Sequence, residues 1–119
     1  MNPTIFKPRD LTKDEITQSA LTELRAQGCR VRKVHNVGAF KKRRHQVEPG
    51  WPDIQGYSRT AVTILCEIKT IGDKFSPEQI ERLDDLDKCG GISLVAFQHG
   101  FGVKVVPWKE AKIKYNIKS

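Results

Sequence analysis

The chain has 119 residues, with 21 Lys+Arg against 14 Asp+Glu and a net charge of +7. That length holds one domain with a single modest core and excludes a large multidomain enzyme. At 38% hydrophobic residues the chain is above the disordered range. Its longest apolar stretch, Ile92 to Phe97, is far too short to span a bilayer, and Met1 to Asp10 has no apolar signal-peptide core, so a cytoplasmic protein without membrane contact is expected.

The first ten residues, with two prolines, read as an extended arm. Thr12 and Glu15 have capping-box spacing, and Ile16, Ala20, Leu21 and Leu24 form the apolar face of a helix that Gly28 stops. Cys29 to Val37 reads as a partly buried strand. Gly38 to Gly50 is a loop or hairpin tip carrying Lys41, Lys42, Arg43 and Arg44. Trp51 to Tyr57 is a short strand after a Pro-Gly turn. Ala61 to Thr70 is the strongest strand, with Val62, Ile64, Cys66 and Ile68 on one face and Ala61, Thr63, Leu65, Glu67 and Lys69 on the other.

Ser76, Pro77 and Gln79 announce a helix with an N-cap, an N1 proline and a capping box. It points Ile80, Leu83 and Leu86 inward and Glu81, Asp84, Asp85 and Lys88 outward, until Gly90 and Gly91 end it. Ile92 to Gln98 is a strand covered on both faces. His99 and Gly100 turn the chain into a last strand, Gly102 to Val106, and Trp108 to Tyr115 forms a short terminal helix. The order is helix, three strands, helix, two strands, helix, a mixed α/β domain whose strand–helix–strand unit makes Ala61–Thr70 and Ile92–Gln98 parallel.

Cys29, Cys66 and Cys89 are odd in number and show no C-x-x-C spacing, so they read as small buried hydrophobes in a reducing compartment. His35, His45 and His99 lack zinc-ligand spacing. The charge is unevenly placed: residues 1–50 hold 11 Lys+Arg and 5 Asp+Glu, residues 51–100 hold 5 and 8, and residues 101–119 hold 5 and 1. A basic N-terminal part and tail flank an acidic middle. Basic side chains neutralise phosphates, and carboxylates hold a cation.

The chemistry is expected at the end of the strongest strand. Glu67 and Lys69, two apart, share a face there, and burying such charges is costly unless they find partners or a task. An antiparallel neighbour joined by a short turn brings Asp53 beside Glu67. Two carboxylates and a backbone carbonyl, that of Ile68, would bind a hard cation such as Mg²⁺, with Mn²⁺ as a substitute. Lys69 would orient a water nucleophile and offset charge in the transition state.

Pro52 and Asp53 followed by Glu67, Ile68 and Lys69 resemble the PD-(D/E)xK nuclease pattern. The wider arrangement resembles the virus-type replication-repair nuclease domain (VRR-NUC): a helix Glu at Glu15, Gly50 to Asp53, an apolar strand ending at Glu67 to Lys69, then Ser76 to Gln79 and strand Ile92 to Gln98. The resemblance runs from Thr12 to about Val106. It implies a restriction-endonuclease-like αβββαβ core with a mixed sheet flanked by helices, a divalent metal and phosphodiester hydrolysis. It also implies a stand-alone, phage-type protein working as a homodimer on branched DNA, like Holliday junction resolvases. The domain is then the whole chain: an arm over 1–10, a core over 11–106, and a basic tail or short helix over 107–119.

On that reading Asp53, Glu67, the Ile68 carbonyl and Glu15 hold metal, with Glu23 the rival helix carboxylate. Lys69 is the catalytic lysine, and Gln79 both caps its helix and lies at the site. Lys41, Lys42, Arg43, Arg44 and Lys74 contact phosphate. Trp51 packs beside Pro52, and Phe40, Tyr57 and Trp108 are core or interface residues. A flap or restriction-type endonuclease on the same fold, or a non-catalytic DNA-binding module, is the alternative.

Overall fold

The computed structural model describes residues 7–34 and 51–118. Among them the elements follow the expected order: α1 (Lys13–Ala26), β1 (Arg30–Lys33), β2 (Ile54–Tyr57), β3 (Thr63–Lys69), α2 (Pro77–Lys88), β4 (Ile92–His99), β5 (Gly102–Pro107) and α3 (Trp108–Lys114). The strands form one sheet in sequence order, β1-β2-β3-β4-β5. Every neighbouring pair is antiparallel except β3 and β4, which α2 connects and makes parallel.

Local chemistry explains the helix ends. The Thr12 hydroxyl accepts from the Glu15 N–H while the Glu15 carboxylate accepts from the Thr12 N–H, and Ser76 and Gln79 repeat the exchange at α2. Each exchange satisfies two otherwise orphaned donors. At the far end of α1, Gly28 takes a φ of 90°, which lets the Cys29 N–H reach the Leu24 carbonyl and close the helix. Gly56 is needed for a different reason: a Cβ there would lie 1.9 Å from the Arg30 carbonyl oxygen, so only glycine lets β2 approach β1.

The sheet has two unlike sides. On one, Ile16, Ala20, Leu21 and Leu24 of α1 bury Val31, Ile54, Ile64, Cys66, Ile68 and Ala96. On the other, α2 and α3 cover the β4–β5 half, with Leu83, Val95, Phe97, Val106, Trp108 and Ala111 packed together. Phe75 and Tyr115 meet edge to face within this second cluster, centroids 5.0 Å apart. Ser93 fastens α2 to β4 by donating to the Leu83 carbonyl at 2.7 Å. The Gln98 side chain ties the residues before α1 to β4, accepting from the Leu11 N–H at 2.7 Å and donating to the Arg9 carbonyl at 2.8 Å.

Three expectations are corrected. Asp84 does not simply face solvent; its Oδ1 accepts from the Trp108 indole N–H at 2.7 Å and from Lys112 Nζ at 3.0 Å, because α3 folds back over α2. Cys89 is exposed at the C-cap of α2 instead of buried. Tyr57 is 53% exposed, because its face of β2 lies beyond the reach of α2 and α3, which pack on β4 and β5. Val37, Phe40, His35, His45 and the Gly38–Gly50 loop lie outside the described residues. Among the described residues no helix is long and apolar enough to cross a membrane.

Candidate active site

Asp53 immediately precedes β2 and is fixed by its backbone, whose carbonyl accepts from the Val34 N–H at 2.7 Å. Ile54 pairs with Cys66 across the antiparallel β2–β3 ladder, so the next pair along brings Asp53 to Glu67. One Asp53 oxygen, Oδ2, accepts from the Ile68 N–H at 3.0 Å. The other, Oδ1, lies 2.8 Å from Lys13 Nζ. The N–H and C=O of one extended residue point to the same side of a strand, so the Ile68 carbonyl also faces the Asp53 side. Asp53, Glu67 and Ile68 are thus brought together as the sequence implied.

Glu67 is buried at 2% exposure. Its Oε2 is buried without a hydrogen-bond partner among the described residues. Such an atom is costly unless something binds it. Burial and the hydrogen bond to Asp53 push the Glu67 carboxyl up to about 9, so it keeps a proton at neutral pH. For Asp53, burial works against ionisation, but hydrogen bonds from Glu67, Lys13 and the Ile68 N–H outweigh it and hold this carboxyl below its ordinary value. The two carboxyls therefore carry one proton between them, as close carboxyls do without a cation. Their oxygens and the carbonyl are the donor types a hard divalent cation takes, and the orphaned Oε2 fits such an ion.

Lys69 is 4% exposed and makes two hydrogen bonds. Its Nζ donates to the Lys74 carbonyl at 2.7 Å and to Gln79 Oε1 at 2.9 Å, and stands 4.4 Å from the Phe75 ring centroid. Burial lowers its pKa, partly countered by Glu67 and Asp73. Gln79 Oε1 also accepts from the Ser76 N–H at 2.9 Å, so this residue caps α2 and holds Lys69 at once. Lys74 stands exposed on the loop after β3, and its backbone carbonyl serves Lys69.

Glu15 is not joined to the pair by any hydrogen bond or ion pair among the described residues. Its carboxylate accepts from the Arg9 guanidinium at 2.8 Å and from the Thr12 N–H, and the Arg9 bond brings its pKa down to about 2. Glu23 is exposed. From the same turn as Glu15, Lys13 is the residue that reaches Asp53, and sequence reasoning missed it. A signal existed: a lysine at the first position of a helix opposes the macrodipole and gains by finding a carboxylate elsewhere. Asp73, which accepts from Thr70 N–H and Oγ1, is a second unforeseen residue and adds a negative charge acting on Lys69. Lys41, Lys42, Arg43 and Arg44 lie outside the described residues. Among the described residues no group of three or more His, Cys, Asp and Glu side chains gathers as a metal site, so the candidate set is two carboxyls and a carbonyl.

No family model matches the chain, and no curated protein matches it. Among solved structures it is similar to Hjc, a Holliday junction resolvase from the archaeal hyperthermophile Archaeoglobus fulgidus. The TM-score is 0.55 with 20% identity, over 79% of this chain and 75% of that one. The chain has the Hjc fold. The mixed five-stranded sheet with flanking helices is therefore the architecture the sequence pattern implied, and the Hjc likeness is one of fold alone.

Proposed function

We propose that this protein is a divalent-metal-dependent DNA endonuclease of the PD-(D/E)xK type, selective for branched DNA such as four-way junctions. The observation that carries this reading is the Asp53–Glu67 pair. It is buried and shares a proton, and its orphaned Glu67 Oε2 lies on the β3 face that also carries Lys69. A stable interior has no use for that arrangement, whereas a cation site does. The fold shared with a Holliday junction resolvase supports the substrate class, and the VRR-NUC resemblance of Gly50 to Asp53 and Glu67 to Lys69 supports the finer family.

Asp53, Glu67 and the Ile68 carbonyl would hold Mg²⁺ or Mn²⁺. Once bound, the cation supplies Lewis-acid polarisation of the scissile phosphate. The chain's own residues do the rest. Lys13 neutralises Asp53 and keeps it ionised. Lys69, held at two acceptors by Gln79 and the Lys74 carbonyl, keeps one remaining N–H to orient the attacking water and to balance charge on the phosphate oxygens. Glu15 would join the cation only by giving up Arg9. Lys74 and the Lys41–Arg44 run would neutralise backbone phosphates. A homodimer matches the two-fold symmetry of a four-way junction and would place one site on each of two opposed strands.

The test is cleavage of labelled four-way junction, flap and linear duplex in Mg²⁺, Mn²⁺ or EDTA. We expect metal-dependent cutting with the junction preferred. Binding without cutting of any substrate would leave a non-catalytic DNA-binding module. Cutting of linear duplex at one fixed sequence would instead make it a restriction-type enzyme.

A further inference from the structure

The face of the sheet that carries Glu67 and Lys69 continues onto β1 and β2, away from α2 and α3. Register places two rows of side chains there: Arg30, Tyr57 and Thr63, then Arg32, Gln55 and Leu65. They floor a groove of about 980 Å³ that Arg25 and Trp51 also line. Among the described residues its lining includes three arginines and not one carboxylate. In a chain whose residues 51–100 hold 5 Lys+Arg against 8 Asp+Glu, that exclusion is selective. The two aromatic rings differ in setting. Tyr57 is 53% exposed, and Trp51 is half-buried, with the Arg82 guanidinium 4.3 Å from its ring centroid.

We infer that this groove binds an unpaired nucleic-acid strand and feeds it to the Asp53–Glu67 pair. Guanidiniums track a phosphate backbone, and an exposed aromatic ring offers a stacking surface to any base. A duplex hides its base faces except at its ends, so a groove combining both features suits a single strand. Position supports the direction of travel. Leu65 on the groove floor is two residues before Glu67 on the same face, a distance of about 7 Å along the strand. A strand lying across Leu65 therefore ends at the carboxyl pair. The inference rests on the nuclease reading above for its choice of ligand, and it adds that the strand entering the site is unpaired, as it becomes where base pairs open at a branch point.

The experiment is binding in EDTA, where cleavage plays no part. Fluorescence anisotropy compares a labelled oligothymidylate with a blunt hairpin duplex. Tyr57→Ala should weaken oligothymidylate binding about tenfold with little effect on the hairpin, and Tyr57→Phe should restore it. Arg30→Ala and Arg32→Ala should each lower the salt dependence by about 0.7 in the log–log slope. Melting curves establish that each variant is folded. Unchanged oligothymidylate affinity in Tyr57→Ala overturns the inference, and so does equal weakening for the hairpin. A change from dimer to monomer in that variant would make the face a contact between two copies and overturns it too. Metal-dependent cleavage is measured alongside. Expected binding with no cutting upholds the groove and defeats the nuclease reading; cutting with groove variants that bind normally does the reverse.

Discussion

The two faces of β3 are buried to the same degree and hold opposite chemistry. Towards α1, Ile64, Cys66 and Ile68 are at most 2% exposed and belong to the apolar cluster under the helix. Towards the other side, Leu65, Glu67 and Lys69 are 6%, 2% and 4% exposed, and two of the three are ionisable. The first face is a core in the usual sense, where each methyl group contributes by being out of water. The second sacrifices that contribution to keep a carboxyl and an amine where water cannot soften their fields. One strand thus separates the part of the protein that holds it together from the part available for chemistry.

Mutations on the two faces should therefore fail differently. Ile64→Ala empties space on the apolar face and should cost about 2–5 kcal/mol in urea unfolding, with cleavage by the remaining folded protein intact. Lys69→Met should leave melting unchanged or raised, while cleavage falls about 10²–10³-fold. A Lys69→Met variant that melts early and cuts normally would erase the distinction between the faces.

Glu67→Gln tests the cost of the charged face directly. In chelator the amide needs no proton to sit beside Asp53, and stability should rise on the order of 1–3 kcal/mol at high pH. The sign follows from the proton. Glu67 has an ordinary value of 4.5 and a folded value of about 9, so the native state holds a proton that the unfolded chain releases. Its contribution is complete below 4.5 and is lost as pH rises through about 9. Metal-free wild type should therefore lose stability relative to Glu67→Gln across that window, and thermal melts at stepped pH would show it. A parallel pair of curves would mean that Glu67 is not held protonated.

The smallest effect is expected at Ser76. Ser76→Ala removes one half of the α2 capping box at a cost of about 1 kcal/mol. Because Gln79 also holds Lys69, kcat should fall while KM stays near the wild-type value. A fall in stability alone would separate the cap from the lysine.

Much of this was legible because it is local. Both capping boxes, the alternation along β3 and the C-terminal glycines are statements about residues within one or two turns. The Asp53–Glu67–Lys69 grouping was legible as a motif, since a short turn leaves antiparallel strands few registers. What could not be read depends on residues far apart in the chain. Asp84 is drawn inward by Trp108 and Lys112, 24 and 28 positions away. Lys13 meets Asp53, far along the chain, because α1 packs against the face of the sheet. Tyr57 stays exposed because no described helix is placed over its face of β1 and β2, a fact of topology that no local pattern encodes. Glu15 illustrates a third case: its capping role was visible, but the Arg9 partner that occupies it was not.

The Gln79 oxygen has a consequence of another kind. It is the single acceptor shared by the Ser76 amide at the N-cap of α2 and the ammonium of Lys69. Helix ends open more readily than helix middles, and they do so far below global unfolding. Each opening of that turn would take away one of the lysine's two acceptors, so the fraction of molecules with Lys69 fully positioned would track the hydrogen-exchange protection of the Ser76 amide. On warming, the protein would lose its chemistry one helical turn at a time before it lost its fold.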